Sequence, residues 1–457
     1  MIVAKFGGTS LGGAKRIRRC AQIVRRLAEK EKVVVVASAI AGVTDAILQA
    51  AYDALCSCAD ITTIINLHHR LAKQIGVDFS PLERIMARLQ LLLRCVEILR
   101  VLPAAVLDEM LSVGERLSVR ILAAALRQQN LPAQPLDAPD AGFLTDDNHT
   151  AAKPLPQAIP RLAKSLKWDG TIKVVTGFIG RTKEGRITTI GRNGSDLTAA
   201  IVAAALNAKE LRIFTDTPGV LSADPRLVAD AAPVRRLSYE EAAELARFGA
   251  TVLHPQTIIP LIQQRIPVRV VSSAHPDDPG TLILPEAKET RPVVASRGGL
   301  ALLLFHSHRL GEVVTDVPQL FTAISQRGWS IAAVANSRST VGLILQPRQH
   351  EKGRKFNVHN GLVAFSDSEE TLSALAEEMT DEFSESGHIS VRRNVALICV
   401  VGYGVVSLLP RLQNAIHKMK IPVLFEALPG RDISVLFVVP QRRQRDAVLA
   451  LHNVLYG

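Results

Sequence analysis

Apolar residues near the amino terminus form two short runs that suit buried strands, "IVAKF" at 2–6 and "KVVVVASAI" at 32–40. Between them, residues 14–30 are basic and carry apolar positions at helical spacing. A strand, a helix and a second strand in this order predict the beginning of a layered, mostly parallel α/β sheet.

Longer apolar-periodic stretches between residues 45 and 130, such as "LERIMARLQLLLRCVEIL", predict helices that pack on each other or on the sheet. Further on, "TIKVVTGFIG" and "GRITTIG" predict a hairpin that leads into "GSDLTAAIVAAALNA". This last segment is almost entirely apolar, so it predicts a buried helix with Ser195 or Asp196 as its N-cap. The strands "LRIFTD" and "IPVRVVSS" then complete the domain.

The pattern changes after "VASRGG" at 294–299. A strand, a helix and two further strands follow one another, and the same order returns from "NVALICVVG" onwards, with a last helix from Arg442. This repetition predicts two small ferredoxin-like units. The charged stretch "QPRQHEKGRKFN" at 346–357 is the predicted loop of this part of the chain.

Composition narrows the class of protein. The chain has 457 residues, of which 47% are apolar and 21% charged, as is typical of a globular enzyme with about two to four domains. Its formal charge of +11 attracts anions in general. Its basic clusters lack interleaved aromatic residues that could stack on bases, so we predict no nucleic-acid partner.

Cysteine usage and hydropathy indicate the compartment. The five cysteines are dispersed and odd in number, which favours a reduced compartment over a disulfide framework. Cys56 and Cys58 lie near His68 and His69, but residues two apart on a helix point in different directions, so we predict no metal site there. No stretch reaches transmembrane length. We therefore predict a cytoplasmic protein without membrane contact.

The hexapeptide "KFGGTS" at 5–10 is the first candidate for chemistry. Gly7 and Gly8 have no Cβ, so their backbone N–H groups can approach a ligand closely, and Lys5 adds a cation beside them. These features suit a phosphate group. A strand-to-helix turn with a surface lysine explains the same six residues equally well.

Further segments follow in a fixed order, namely "VVASAIAGVTD", "LSVGERLS", "TGFIG", "TTIGRNGSDLTAA", "FTDTPGVLSADPR" and "ELARFGATVLHPQTIIP". With "KFGGTS" they resemble the aspartate kinases (aspartokinases) of the amino-acid kinase family, whose chains end in ACT domains. The resemblance implies a layered, mostly parallel α/β sheet with helices on both faces in a catalytic domain at 1–285. Ferredoxin-like βαββαβ units of the ACT type are then implied at 298–390 and 391–457.

Aspartate kinases phosphorylate the side-chain carboxylate of L-aspartate with MgATP, the first step of lysine, threonine and methionine biosynthesis. The resemblance implies ATP as the nucleotide, Mg²⁺ carried by that nucleotide, no metal site of the protein's own, and a homodimer or higher homo-oligomer. Lys5 and Asp196 match catalytic positions. The implied binding residues are Ser38, Thr44, Glu115, Phe178, Arg192 and Ser195 for the substrate, and Lys5, Gly7, Gly8, Thr215, Asp216, Asp224 and Arg226 for the nucleotide.

The residue types suit these roles. The planar guanidinium of Arg192 suits an α-carboxylate, and the carboxylate of Glu115 suits an α-ammonium group. Two positions depart from the family pattern, because Leu221 stands where a tyrosine is common and Thr251 where a lysine is common. Loss of an aromatic ring and of a cation is expected to weaken ATP binding.

Three alternatives remain at this point. Related kinases that act on acetylglutamate, glutamate, carbamate or uridylate share the kinase domain but lack paired ACT-like units. A regulatory, effector-binding homologue with a weakened kinase domain would explain Leu221 and Thr251, although it would not explain the retention of Lys5, Glu115 and Asp196. Nucleic-acid binding rests on the basic pI alone.

Overall fold

The computed structural model describes residues 1–56, 58–191, 193–248, 255–287, 290–308, 313–326, 329–336, 340–347, 355–366, 372–428 and 432–457. Two positions discussed above, Arg192 and Thr251, lie outside these residues.

The described residues form strands and helices throughout the chain. The strands are β1 (Ile2–Phe6), β2 (Val33–Ala37), β3 (Ala133–Leu136), β4 (Ile172–Thr176), β5 (Ile179–Arg181), β6 (Ile187–Thr189), β7 (Glu210–Thr215), β8 (Arg236–Ser238), β9 (Val268–Ser272), β10 (Thr281–Leu284), β11 (Val293–Ser307), β12 (Trp329–Asn336), β13 (Thr340–Pro347), β14 (Lys355–His359), β15 (Leu362–Ser366), β16 (Gly387–Val401), β17 (Phe425–Ala427) and β18 (Ser434–Pro440). The helices are α1 (Ala14–Ala28), α2 (Val43–Leu55), α3 (Thr62–Ile75), α4 (Ser80–Leu99), α5 (Ala104–Leu111), α6 (Val113–Arg127), α7 (Ala158–Ser165), α8 (Gly194–Ala205), α9 (Tyr239–Arg247), α10 (Pro255–Ile262), α11 (Val313–Gln326), α12 (Leu372–Glu382), α13 (Leu409–Lys418) and α14 (Gln444–Tyr456).

The chain divides into two compact units. The first consists of Met1–Val220, Gln256–Glu286 and Lys352–Asp367, and the second of Leu221–Pro255, Ala287–Glu351 and Ser368–Gly457. Each unit therefore contains segments that are distant in the sequence. The domain limits at 285, 298 and 390 stay a prediction.

The first unit is built on a mostly parallel sheet. Its strands lie in the order β3-β4-β2-β1-β7-β9-β10, and neighbours pair in parallel except for β10, which runs antiparallel to β9. All residues of β1 and β2 are buried, as expected for parallel strands covered on both faces. The strand-helix-strand start, the helices between residues 45 and 130 and the β5–β6 hairpin are confirmed.

Helix α8 is buried along most of its length, as its composition predicts. Its beginning differs from the prediction, because the N-cap is Asn193, in the left-handed region at φ 54°, and not Ser195 or Asp196. The chain turns at Asn193, so the helix starts earlier than the sequence pattern indicates. Ser195 and Asp196 consequently lie in the first turn of the helix.

The second unit is built on an antiparallel sheet in the order β12-β13-β11-β16-β18-β17. The succession β11-α11-β12-β13 returns as β16-α13-β17-β18, and the first strands of the two repeats pair at the centre of the sheet. The predicted pair of ferredoxin-like units is confirmed. Strands β12 and β17 occupy the two ends of this strand order.

A hairpin from the C-terminal part of the sequence belongs to the first unit. Strands β14 and β15 pair with each other, and the Val363 N–H donates to Leu102 O at 2.8 Å while Ala104 N–H donates to Gly361 O at 2.9 Å. Val363 is 7% exposed and belongs to the main apolar core of the first unit. None of the helices in the described ranges combines the length and apolar content that a bilayer crossing requires.

Candidate active site

The carboxyl ends of four neighbouring strands define one edge of the parallel sheet. The last residues of β4, β2 and β1 lie in register with each other and with the next-to-last residue of β7, since Thr176 pairs with Ala37, Ala37 with Phe6 and Phe6 with Phe214. The Ser38 N–H donates to Phe6 O at 3.1 Å, so the chain leaves β2 at this edge. In open α/β sheets, ligands bind in the crevice outside the carboxyl ends of the strands.

Lys5 lies near this edge and is held by Asp196. Its Nζ is 2.7 Å from Asp196 Oδ1, and the two side chains are only 10% and 16% exposed. The carboxylate stands in the first turn of α8, where the free backbone N–H groups favour anions. Lys5 is therefore not the surface lysine of the simpler interpretation, and the pair places a fixed cation beside a helix N-terminus.

The two glycines after β1 have different neighbours. A Cβ on Gly8 would lie 2.7 Å from Ala39 O and 3.0 Å from Ala41 N, so the close approach of residues 39–41 requires glycine there. At Gly7 the nearest atom to a Cβ would be Lys5 Nζ, at an ordinary 3.5 Å. Gly8 thus brings the turn after β1 against the segment after β2, a packing role that the sequence did not reveal.

Glu115 is a buried carboxyl group with an unused oxygen. It lies in the first turn of α6 and is 3% exposed. Its Oε1 accepts a hydrogen bond from the Ala39 N–H at 3.1 Å, whereas Oε2 has no partner among the described residues. Burial raises the pKa of this carboxyl to about 8, although the bond from Ala39 offsets part of the effect. Such a group is suited to receive a cation.

Three further candidates lie in the first turn of α2, just after β4 and in the first turn of α8. Thr44 is half-buried in the first turn of α2. Phe178 follows β4 with φ 65°, and its N–H donates to Thr198 Oγ1 at 3.1 Å. Ser195 is buried against Gly177, because a Cβ on that glycine would lie 2.5 Å from Ser195 Oγ. Phe178 and Ser195 thus meet where β4 ends and α8 begins.

The predicted nucleotide residues fall into two groups. Thr215 ends β7 at the carboxyl edge, and its Oγ1 donates to Asp216 Oδ1 at 3.1 Å. Asp224 and Arg226 belong to the second unit, where they form an ion pair at 2.6 Å. The side-chain hydrogen bond from Arg226 lowers the pKa of the Asp224 carboxyl. The structure therefore brings Thr215 and Asp216 to the edge that carries Lys5 and pairs the other two residues with each other.

The sequence interpretation missed a buried polar cluster around Asp108. This residue of α5 is 0% exposed and accepts hydrogen bonds from His149, Thr150 and Thr189. The presence of an acidic residue inside the mostly apolar helix "AAVLDEML" was the sequence feature that could have indicated this cluster.

This chain is similar to known proteins over most of its length. A model of the amino acid kinase family matches residues 1–272. Aspartokinase 1, chloroplastic, of Arabidopsis thaliana is 31% identical over 472 aligned residues that cover 99% of this chain and 80% of that protein. Lysine-sensitive aspartokinase 3 of Escherichia coli (strain K12) is 30% identical, with 88% of this chain and 87% of that protein covered.

Solved structures agree with these relatives. The crystal structure of E. coli aspartokinase III in complex with aspartate and ADP superposes on this chain with a TM-score of 0.79 and 27% sequence identity, and 100% of both chains is covered. The likeness therefore includes the C-terminal sheet as well as the parallel one.

Proposed function

Because this chain belongs to the amino acid kinase family and, within it, to the aspartokinases, we infer that it transfers the γ-phosphoryl group of ATP to the side-chain carboxylate of L-aspartate. The products are 4-phospho-L-aspartate and ADP. The observation that carries this proposal is the buried Lys5–Asp196 pair at the carboxyl edge of the sheet. The related E. coli enzyme, whose structure holds aspartate and ADP, supports the choice of substrates.

We propose that catalysis rests on position and charge. A carboxylate oxygen of aspartate attacks the γ-phosphorus, the bond from that phosphorus to the bridging oxygen breaks, and ADP leaves with the electron pair. The nucleophile is already ionised at neutral pH, so no general base is required. Two anions must approach each other, and the ammonium group of Lys5 offsets the negative charge on the transferring oxygens. Asp196 holds that ammonium group in place.

The acceptor is bound by groups that match its two ends. The unpaired Oε2 of Glu115 receives the α-ammonium group, and Arg192 binds the α-carboxylate in a bidentate manner. The hydroxyl groups of Ser38, Thr44 and Ser195 add uncharged hydrogen-bond donors. Phe178 lines part of the acceptor site.

We propose that the nucleotide is bound through Lys5, Gly7, Gly8, Thr215 and Asp216. Asp224 and Arg226 stay proposed nucleotide-binding residues on the strength of the family pattern alone. ATP brings Mg²⁺ on its phosphates, and this ion supplies additional charge neutralisation.

Assembly and location are also proposals. Strands β12 and β17 stand at the two ends of the second sheet's order, and strands in such positions commonly pair with another copy of the chain. We propose a homodimer or a higher homo-oligomer that assembles in this way, working in the cytoplasm, with a catalytic domain at 1–285 and ACT-like units at 298–390 and 391–457.

Trapping of the acyl phosphate tests the reaction. Incubation with ATP, Mg²⁺, L-aspartate and hydroxylamine is expected to give aspartyl hydroxamate, whereas L-glutamate and N-acetylglutamate give none. The preference follows from an acceptor site that binds both the α-ammonium group and the α-carboxylate at a fixed distance from Lys5. Absence of hydroxamate with every acceptor at millimolar ATP would favour the regulatory homologue instead.

The two departures from the family pattern predict weak nucleotide binding. Because Leu221 and Thr251 replace a tyrosine and a lysine that the family commonly has, the wild-type KM for ATP is expected to be high. Thr251→Lys is expected to lower this KM severalfold, since it restores the cation of the family pattern. Steady-state kinetics at saturating L-aspartate measures the change. The KM for L-aspartate serves as the control and is expected to stay the same. An unchanged or higher KM for ATP would show that the nucleotide is bound by other groups.

A further inference from the structure

We propose that Asp108 is a positioning residue for the acceptor site. Its carboxylate joins residues 149 and 150 to Thr189 of the β5–β6 hairpin and so fixes the position of Ile190, the residue that follows β6. This inference rests on the proposed function, because Ile190 contacts Phe178 and the first turn of α8, which carries Ser195, and both of these residues are proposed to bind the acceptor.

The carboxylate of Asp108 is fully occupied by groups from three residues. Thr189 Oγ1 donates to Oδ1 at 2.5 Å, and His149 Nδ1 is 2.7 Å from Oδ2. The Thr150 N–H lies 3.1 Å and 3.0 Å from the two oxygens. The imidazole of His149 donates to Oδ2 in the tautomer that carries its proton on Nδ1. One side chain of α5 thus ties two separate segments together.

The backbone at Thr150 indicates that this connection holds a strained conformation. Its φ is 70°, a left-handed value that is unusual for a β-branched residue. Such strain persists only where the surroundings compensate for it. Both oxygens of Asp108 lie within hydrogen-bonding distance of the Thr150 N–H, and this is the compensation that the structure shows.

The same connection continues to the acceptor site. The Ala152 N–H donates to Thr189 O at 2.9 Å, and the Ile190 N–H donates to Phe178 O at 3.0 Å. A Cβ on Gly194 would lie 2.7 Å from the Ile190 side chain and 3.0 Å from that of Phe178. Asp108 is therefore linked through Thr189 and Ile190 to Phe178 and to the first turn of α8.

A buried polar cluster can also stabilise the fold without any effect on the acceptor site. The β5–β6 hairpin offers a matched control that separates these two roles. Thr188 and Thr189 are neighbours in β6 and are 0% and 1% exposed. Thr188 Oγ1 is 2.7 Å from Thr145 Oγ1, whereas Thr189 Oγ1 donates to Asp108. The substitutions Thr188→Val and Thr189→Val each remove one buried hydroxyl group with little change in shape. Only the second removes a bond to Asp108.

Both valine variants are expected to lower the thermal midpoint. Thr189→Val is expected to raise the KM for L-aspartate about tenfold with the KM for ATP within about twofold, because a small displacement of groups that position a substrate can cost about that factor or more. Thr188→Val is expected to leave both KM values within about twofold. His149→Leu is expected to act like Thr189→Val, whereas His149→Asn, whose amide nitrogen replaces Nδ1 as a donor, is expected to restore the wild-type KM.

Equal KM changes in the two valine variants, or an unchanged KM in Thr189→Val, would overturn the proposal. Hydrogen exchange followed by mass spectrometry separates this outcome from failure of the reaction itself. If the wild type forms no hydroxamate, faster exchange at residues 190–198 in Thr189→Val but not in Thr188→Val still supports positioning by Asp108. Equal exchange in both variants contradicts it.

Discussion

Replacement of Lys5 by methionine is expected to lower kcat and kcat/KM together by about 10²–10³-fold. Methionine keeps much of the side chain's length and removes the charge. The proposed contacts of the ammonium group tighten as negative charge spreads over the transferring oxygens, so their loss affects the transition state more than the bound substrates. The hydroxamate assay at varied ATP and L-aspartate measures both parameters.

Lys173 provides the control for this substitution. It lies in β4 of the same sheet, and it and Lys5 are each 8% exposed. It is also paired with an aspartate, since its Nζ is 2.8 Å from Asp169 Oδ2. Its position near the amino end of the strand keeps it away from the carboxyl edge. Lys173→Met is expected to reduce stability and leave kcat within about twofold, and equal losses of kcat in both variants would refute a catalytic role for Lys5.

The substitution Glu115→Gln is expected to raise the KM for L-aspartate about 30-fold or more and, at alkaline pH, to stabilise the ligand-free fold. The first effect follows because an α-ammonium group loses its buried charged partner. The second follows from the unpaired oxygen of Glu115, since a neutral amide is less costly to bury than an ionised carboxylate.

The stability effect has a defined pH dependence. The pKa of Glu115 is about 8 in the folded chain, above its ordinary value of 4.5, so the folded state binds more protons than the unfolded state between these values. Wild-type stability from this group therefore falls as pH rises through that range, and the loss is complete above the folded-state pKa. Thermal unfolding is expected to show a gain for Glu115→Gln above pH 8 and none below pH 4.5.

Glu241 is the matched control for Glu115. It is 0% exposed, but its Oε2 accepts from the Ser238 N–H at 2.8 Å and its Oε1 accepts from Thr290 Oγ1 at 2.5 Å. A glutamine amide can accept only one of these bonds, so Glu241→Gln is expected to destabilise the protein and leave the KM for L-aspartate unchanged. Destabilisation by Glu115→Gln at every pH would contradict the account given for that residue.

Much of the fold could be predicted because local patterns carry it. The continuous apolar runs of β1 and β2 predicted buried parallel strands, and the repeated order after residue 298 predicted the second sheet. The predicted start of α8 was wrong. The N-cap is Asn193 in a left-handed conformation, and the preference of helices for certain N-cap residue types does not indicate this conformation. Local sequence patterns reflect interactions between residues that are close in the sequence. The turn at Asn193 also depends on contacts with distant parts of the chain, which such patterns do not reveal.

The sequence proposes residue types for the candidate site but gives no distances between them. The sequence singled out Lys5, Asp196 and Glu115, yet neither the pairing of the first two nor the free oxygen of the third is visible in it. Asp108 and its partners Thr150 and Thr189 were missed, since they are far apart in the chain and meet only in the folded protein. Such contacts depend on tertiary packing, which single-sequence patterns do not encode.

The β14–β15 hairpin has a consequence for synthesis of the chain. Domains generally fold as units while the ribosome extends the polypeptide from its amino end. Val363 contributes to the core of the first unit and bonds to Leu102, so that core cannot be completed when residue 286 has emerged. The first unit can complete its core only after the β14–β15 hairpin has been synthesised. By then β11, α11, β12 and β13 have also left the ribosome. During synthesis there is therefore a period in which the apolar surface near Leu102 in the first unit is exposed to solvent.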